Sequence, residues 1–177
     1  MLSKITTAAF AAMLTLPSPT AWADDYEDGI NAFQKEDYTK AMRLLKPLAE
    51  NGNMKAQFTV GQMYGWGGGV PKDAVEAVRW HRKSAKQGYC VAQAILGEYY
   101  LGGKGVPEDY VLGYMWLNIS NAVCDLGGEV HIKSAKEKMT PQQIADSQIM
   151  ARKCFASRYR DCGDSYDSGW FSEWFRQ

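Results

Sequence analysis

Two histidines, four cysteines and one run of glycines are the groups in this chain best suited to chemistry. Their spacing argues against most of it. Cys90, Cys124, Cys154 and Cys162 form no C-x-x-C pair, and His81 and His131 lie far from one another. A structural or catalytic zinc site draws on several such ligands at short spacing, so no metal is expected. The segment Gly65-Trp66-Gly67-Gly68-Gly69 has the composition of a phosphate cradle. A phosphate loop, however, follows a strand and ends in Gly-Lys-Ser/Thr. This one ends in Val70-Pro71 and reads as a turn. His81 has no nucleophile and orienting acid in a shared motif, and is expected as a partly exposed helix residue. Trp80 and Trp116 could stack a ligand, but their regular placement, described below, assigns them to the core. No catalytic residue and no cofactor are expected.

Charge narrows the classes further. Lys plus Arg and Asp plus Glu both number 20, so there is no basic excess to attract nucleic acid. Apolar residues make up 46% and charged residues 23%, an ordinary globular balance. At the start of the chain, Lys4 precedes a mostly apolar run from Ile5 to Leu16, then Pro17 and Pro19, then Ala21-Trp22-Ala23. This is the pattern of a signal peptide with an A-x-A cleavage site, too short to span a bilayer. Residues 1–23 are therefore expected to be removed, giving a periplasmic or secreted chain with no later transmembrane segment. An even number of cysteines in such a compartment points to disulfides.

The elements that position these residues come from a repeat of 36 residues. Ala56-Gln57 recurs as Ala92-Gln93, Gly61 as Gly97 and Tyr64 as Tyr100. Gly69-Val70-Pro71 returns as Gly105-Val106-Pro107, Asp73 as Asp109, Trp80 as Trp116 and Ser84 as Ser120. The register extends back to Asp37, Ala41, Ala49 and Gly52, then slips where the first helix has a shorter turn. Each unit reads as a helix pair: apolar and small residues four apart over 54–65 and 90–101, then second helices over about 73–87 and 109–121. Gly61 and Gly97 fall inside helices, where glycine costs about 1 kcal/mol relative to alanine and implies close approach by a neighbour. Asp73 and Asp109 are suited to capping the second helices, and Gly88 to stopping one. Such pairs bury their apolar stripes only by stacking, so the predicted fold is an all-α solenoid of antiparallel helix pairs with a hollow lined mainly by first helices.

These residues resemble the Sel-1-like repeat, a relative of the tetratricopeptide repeat, over about residues 29–155. Its pattern is matched at Ala56, Val60-Gly61, Tyr64, Gly67, Gly69-Val70, Asp73, Ala77, Trp80, Ala85 and Gly88, and almost as well over 92–121, where Gly113 and Asn121 replace alanines. Residues 24–53 read as a tetratricopeptide-like lead-in, 54–89 and 90–125 as two repeats, and 126–162 as C-terminal capping helices. Within the last, Thr140-Pro141-Gln142-Gln143 has the form of a capping box with proline at the first helical position. The resemblance implies an interaction scaffold in which enzymatic activity is the exception.

Cys154 and Cys162 are the expected disulfide: a bridge there pins the tail against the closing helix, and similar pairs occur in exported relatives. Cys90 and Cys124 either bridge neighbouring repeats or stay as buried thiols. Residues 163–177 form an aromatic tail in which Trp170 and Trp174 would share one face of a helix, beside Phe171 and Phe175. It reads as a plug over the last core or as a docking segment. Contacts to a protein partner are expected from the variable positions of the first helices: Asn31, Gln34, Phe58, Thr59, Gln62, Met63, Trp66, Ile95, Glu98 and Tyr99, with Ala94 and Gly102 beside them. The expected function is a non-enzymatic envelope module that binds a protein partner in its hollow, an inhibitor of a secreted effector by resemblance to exported immunity proteins. The alternatives are an envelope assembly or signalling adaptor, and a hydrolase of cell-wall material or β-lactams. Relatives of the last kind carry a disulfide in each repeat, which this sequence does not offer.

Overall fold

The computed structural model describes residues 19–124 and 129–162 of the chain. Among these, eight helices and no strand are found: α1 (Pro19–Gln34), α2 (Tyr38–Glu50), α3 (Met54–Trp66), α4 (Ala74–Ala85), α5 (Cys90–Leu101), α6 (Tyr110–Val123), α7 (Glu129–Glu137) and α8 (Pro141–Ala156). Each packs on its neighbour in sequence up to α6, against which both α7 and α8 close the stack. This is the solenoid of helix pairs that the repeat predicts. Helix α1 runs through Ala21-Trp22-Ala23, with Pro19 at its first position, where a missing N–H costs nothing. The aromatic tail, residues 163–177, lies outside the described residues.

Helix ends follow from local side chains. Asp37, Asn53, Asp73 and Asp109 each accept a hydrogen bond from a backbone N–H in the first turn of the helix they precede. Thr140 and Gln143 exchange side-chain and backbone bonds at the start of α8, as the capping box requires. At the other end of α4, Gly88 adopts φ +86° and its N–H reaches the Ala85 carbonyl.

The repeated polar residues repeat their bonds as well. Ser84 donates to the carbonyl of Met54 and Ser120 to that of Cys90, each 30 residues back, tying a second helix to the start of its own first helix. Gln57 donates to Ala49 O and Gln93 to Ala85 O, joining a first helix to the end of the preceding pair. Asp73 N–H bonds Tyr64 O and Asp109 N–H bonds Tyr100 O across the two glycine-rich turns. Ala–Gln, Ser and Asp thus recur because buried backbone carbonyls need donors at the same places in each unit. In the run Gly65 to Gly69, Gly65 and Trp66 end α3 and the turn begins at Gly67, with Gly67 and Gly69 at positive φ.

Trp80 and Trp116 are buried, in separate clusters of the first and second halves of the stack, and a third cluster, with Val111, Tyr114, Ala135 and Met139, joins α6 to the closing helices. Both disulfides are formed: Cys154–Cys162, and Cys90–Cys124, which links the first turn of α5 to the end of α6. They span 8 and 34 residues respectively. Because chain-entropy stabilisation grows with loop length, removing Cys90–Cys124 by paired serines is expected to cost about 1 kcal/mol more than removing Cys154–Cys162 in the same way. Denaturant midpoints of the two oxidised variants test this; equal losses would rule out loop entropy as the main term.

Candidate functional site

The face built by the first helices begins with glycine. A Cβ at Gly61 would stand 2.9 Å from the His81 ring, and one at Gly97 2.8 Å from Leu117 Cγ. Gly29 does the same for Leu45, at 2.7 Å from its Cγ. Leu45, His81 and Leu117 therefore fill one repeated slot, each laid across a glycine of the adjacent first helix. Gly29 escapes the 36-residue register because the α1–α2 turn is four residues shorter than the α3–α4 turn. Its partner Leu45 keeps the register, since it lies after that turn.

His81 is only 1% exposed, which corrects the expectation of a partly exposed position. It shares the inward stripe with Ala77, Trp80 and Ser84, so the helix carries it into the interior. Burial lowers its pKa to about 4, and its Nδ1 has no hydrogen-bond partner. The imidazole is a neutral ring at ordinary pH, placed where a leucine stands in the next unit.

Around that ring lies an aromatic floor. Phe58 of α3 and Tyr99 of α5 flank His81, with centroids 5.5 and 5.6 Å away. Tyr89, at the entry to α5, meets Phe58 edge-on at 5.3 Å. Gly65 leaves room for Tyr99, whose hydroxyl lies 2.5 Å from where a Cβ would be. Tyr26 of α1 continues the row: its pKa is raised by burial, then by Tyr89 and by Glu27. The Tyr99 hydroxyl is likewise raised, by burial first and by Glu98 second. Tyr26, Phe58, Tyr89 and Tyr99 are all half-buried. Rings held in this way, with one side packed and the other reachable, suit apolar and aromatic side chains of a partner.

The expected contact residues divide into three groups. Phe58, Gln62, Ile95, Glu98 and Tyr99 are half-buried on α3 and α5, and His81 joins Phe58 to Tyr99. Asn31 and Gln34 are exposed on α1, and Trp66 is 50% exposed at the end of α3, where it packs against Tyr38 and Phe33. Met63 and Thr59 are buried, with Met63 in the core beside α2 and Thr59 bonded to the Lys55 carbonyl. Those two are unavailable to a partner, because the α1–α2 pair covers that side of α3. Sequence reasoning expected His81 at a partly exposed position and passed over Tyr89 and Tyr26. Phe58 and Tyr26 follow the same spacing as Gly61 and Gly29, and that spacing was the available signal.

Beside Glu98 a cavity of about 240 Å³ is lined by Leu101, Lys104, Tyr110, His131, Ser134 and Lys138. It falls below the ~300–1,000 Å³ usual for small-molecule sites. Glu98 and His131 pair at 3.5 Å, and Lys138 donates to the Tyr110 hydroxyl, a bond that raises its pKa. These contacts hold α7 to α5 and α6. Among the described residues, no three His, Cys, Asp or Glu side chains come together as a metal site would require.

Comparison with solved structures places this geometry among known proteins. A protective antigen present in uropathogenic Escherichia coli strains, displaying an SLR fold, superposes over 83% of this chain with a TM-score of 0.74 and 27% identity. The chain covers 32% of that protein, about a third of its length. A Sel1 repeat protein from Oxalobacter formigenes matches 64% of the chain and 88% of its own length, with a TM-score of 0.58 and 30% identity. Functionally curated proteins give no match. The Sel1 repeat model fits residues 21–53, 55–89 and 90–120, the three helix pairs described above. With glycine-seated side chains, repeated caps and repeated turn bonds all in the matching units, this chain belongs to the Sel1 repeat family.

Proposed function

We propose that the chain is a non-enzymatic module of the bacterial envelope that binds a protein partner on the face formed by α1, α3 and α5. Sel1 repeats are generally protein-interaction scaffolds, which sets the class. The observation that carries the reading here is the row Tyr26, Phe58, Tyr89 and Tyr99 over a neutral His81. Two disulfides fit an oxidising compartment, as does the signal-peptide pattern of residues 1–23. Within this class, the finer reading is an inhibitor of a secreted effector, with an envelope adaptor as the alternative.

Charge insertion tests the face directly. Gln62→Arg and Ile95→Arg alter half-buried positions beside the aromatic row, whereas Arg43→Glu and Arg79→Glu alter exposed positions on the second helices. After co-purification of a partner from an envelope extract, the first pair is expected to weaken its affinity about tenfold or more. The second pair should leave it within about twofold. The reverse ranking, with all four variants folded by circular dichroism, would move the binding face to the second helices.

A further inference from the structure

The charges of this neutral chain are unevenly placed along its helices. The first helices α1, α3 and α5 contain Asp24, Asp25, Glu27, Asp28 and Glu98 against one base, Lys55. The second helices α2, α4 and α6 reverse this, with six bases against Glu50 and Glu76. Within the hollow the acid gathers at one end of the aromatic row. Asp25, Glu27 and Asp28 are exposed on either side of Tyr26. The Tyr26 pKa is raised by burial first, then by Tyr89 and Glu27, which places both close to its hydroxyl. At the other end Glu98 is already answered, by His131 at 3.5 Å and by Lys104 and Lys138 in the same cavity.

The rings at the acidic end lack a cation of their own. Elsewhere Lys83 lies over Trp80 at 4.1 Å, Lys138 over Tyr110 at 5.0 Å and Lys136 over Tyr114 at 5.6 Å. Among the described residues, no lysine or arginine lies in this way over Tyr26, Phe58 or Tyr89. Phe58 and Tyr89 meet with centroids 5.3 Å apart and planes at 69°, a corner of ring faces rather than a stack. His81 beneath Phe58 is neutral at ordinary pH and adds no opposing charge. Ring faces are negative, and a lysine or arginine lays its alkyl stem on them while its charged head reaches acid at the rim. We propose that Tyr26, Phe58 and Tyr89, with Glu27 at their rim, receive a lysine or arginine side chain from a basic segment of the partner. This rests on protein binding at the α1–α3–α5 face and adds the chemistry of what is bound there.

Hexalysine and hexaglutamate, titrated into the full oxidised chain at one ionic strength, test the site without the partner. Hexalysine is expected to bind about tenfold more tightly or better, and to shift the ring proton resonances of Phe58 and Tyr89. Phe58→Leu and Tyr89→Leu keep apolar bulk but remove a ring face, and each should weaken hexalysine about fivefold. Circular dichroism identifies which of the two variants keep the fold. Equal affinity for the two peptides would overturn the proposal. So would hexalysine binding that is unchanged in the folded leucine variants, which would make it a diffuse attraction to the acids of α1. A protein partner weakened by Gln62→Arg yet indifferent to both leucine variants would refute the cation site and leave protein binding standing. Hexalysine seated on the rings, with no protein recovered from an envelope extract, would do the reverse.

Discussion

Replacing Gly105 by alanine is expected to destabilise the protein by about 4 kcal/mol, the largest effect of adding a methyl group at any glycine among the described residues. Two causes add. Gly105 has φ +69°, which an L side chain adopts at a cost. Its Cβ would also overlap the backbone carbonyl of Ala74, the first residue of α4, in the preceding pair. A backbone group in a helix turn has nowhere to move, unlike the end of a flexible side chain. Gly69 repeats the contact one unit earlier, at 2.6 Å from the Tyr38 carbonyl. The glycine of each turn is therefore the point where one unit rests on the start of the previous second helix. Gly52 separates the two causes: it has φ +96° but nothing within 4 Å of a Cβ. Gly52→Ala should lose only about 1 kcal/mol from the backbone term. Denaturant midpoints of the two variants measure the difference, and equal losses would show that crowding at the turn contributes nothing.

Acid should destabilise the protein through His81. Its folded pKa, about 4, lies below the ordinary histidine value of 6.5 because burial disfavours the charged ring. Between those values the unfolded chain binds the proton and the folded chain does not. Stability from this site is therefore complete above about pH 6.5 and declines as pH falls toward 4. The total corresponds to about 3 kcal/mol, an order-of-magnitude figure. His81→Leu should abolish that decline without loss of fold, because Leu117 already occupies the same slot over Gly97. It also removes the unpartnered Nδ1. Urea unfolding of both proteins at pH 7 and pH 4.5 is the measurement. If the variant lost as much stability on acidification as the parent, the carboxylates and not His81 would carry the pH dependence.

Substitution at His81 also separates stability from binding. Leucine preserves the packing of the floor between Phe58 and Tyr99 while deleting its only nitrogen-bearing ring. Because the imidazole is buried beneath those rings, a partner that docks on them should bind the variant with unchanged affinity.

How much of this was written in the sequence depends on whether a feature repeats. The helix pairs, their caps at Asp73 and Asp109, the turns at Gly67–Val70 and the burial of Trp80 and Trp116 were all legible. Each answers a local demand, for a backbone donor, a positive φ or an apolar stripe, and each unit makes that demand again at the same spacing. Gly29 was not legible by the same rule, since a turn shortened by four residues displaces everything before it. Only the tertiary structure decided that His81 is buried, because its helix stripe is polar in one unit and apolar in the next. It likewise decided that Met63 and Thr59 face the preceding pair, and that Cys90 and Cys124 come within bonding distance at the junction of α5 and α6. Those outcomes depend on which side of a helix the neighbouring pair covers. Side-chain periodicity along one helix specifies a face, but the identity of the element that meets it is set by stacking.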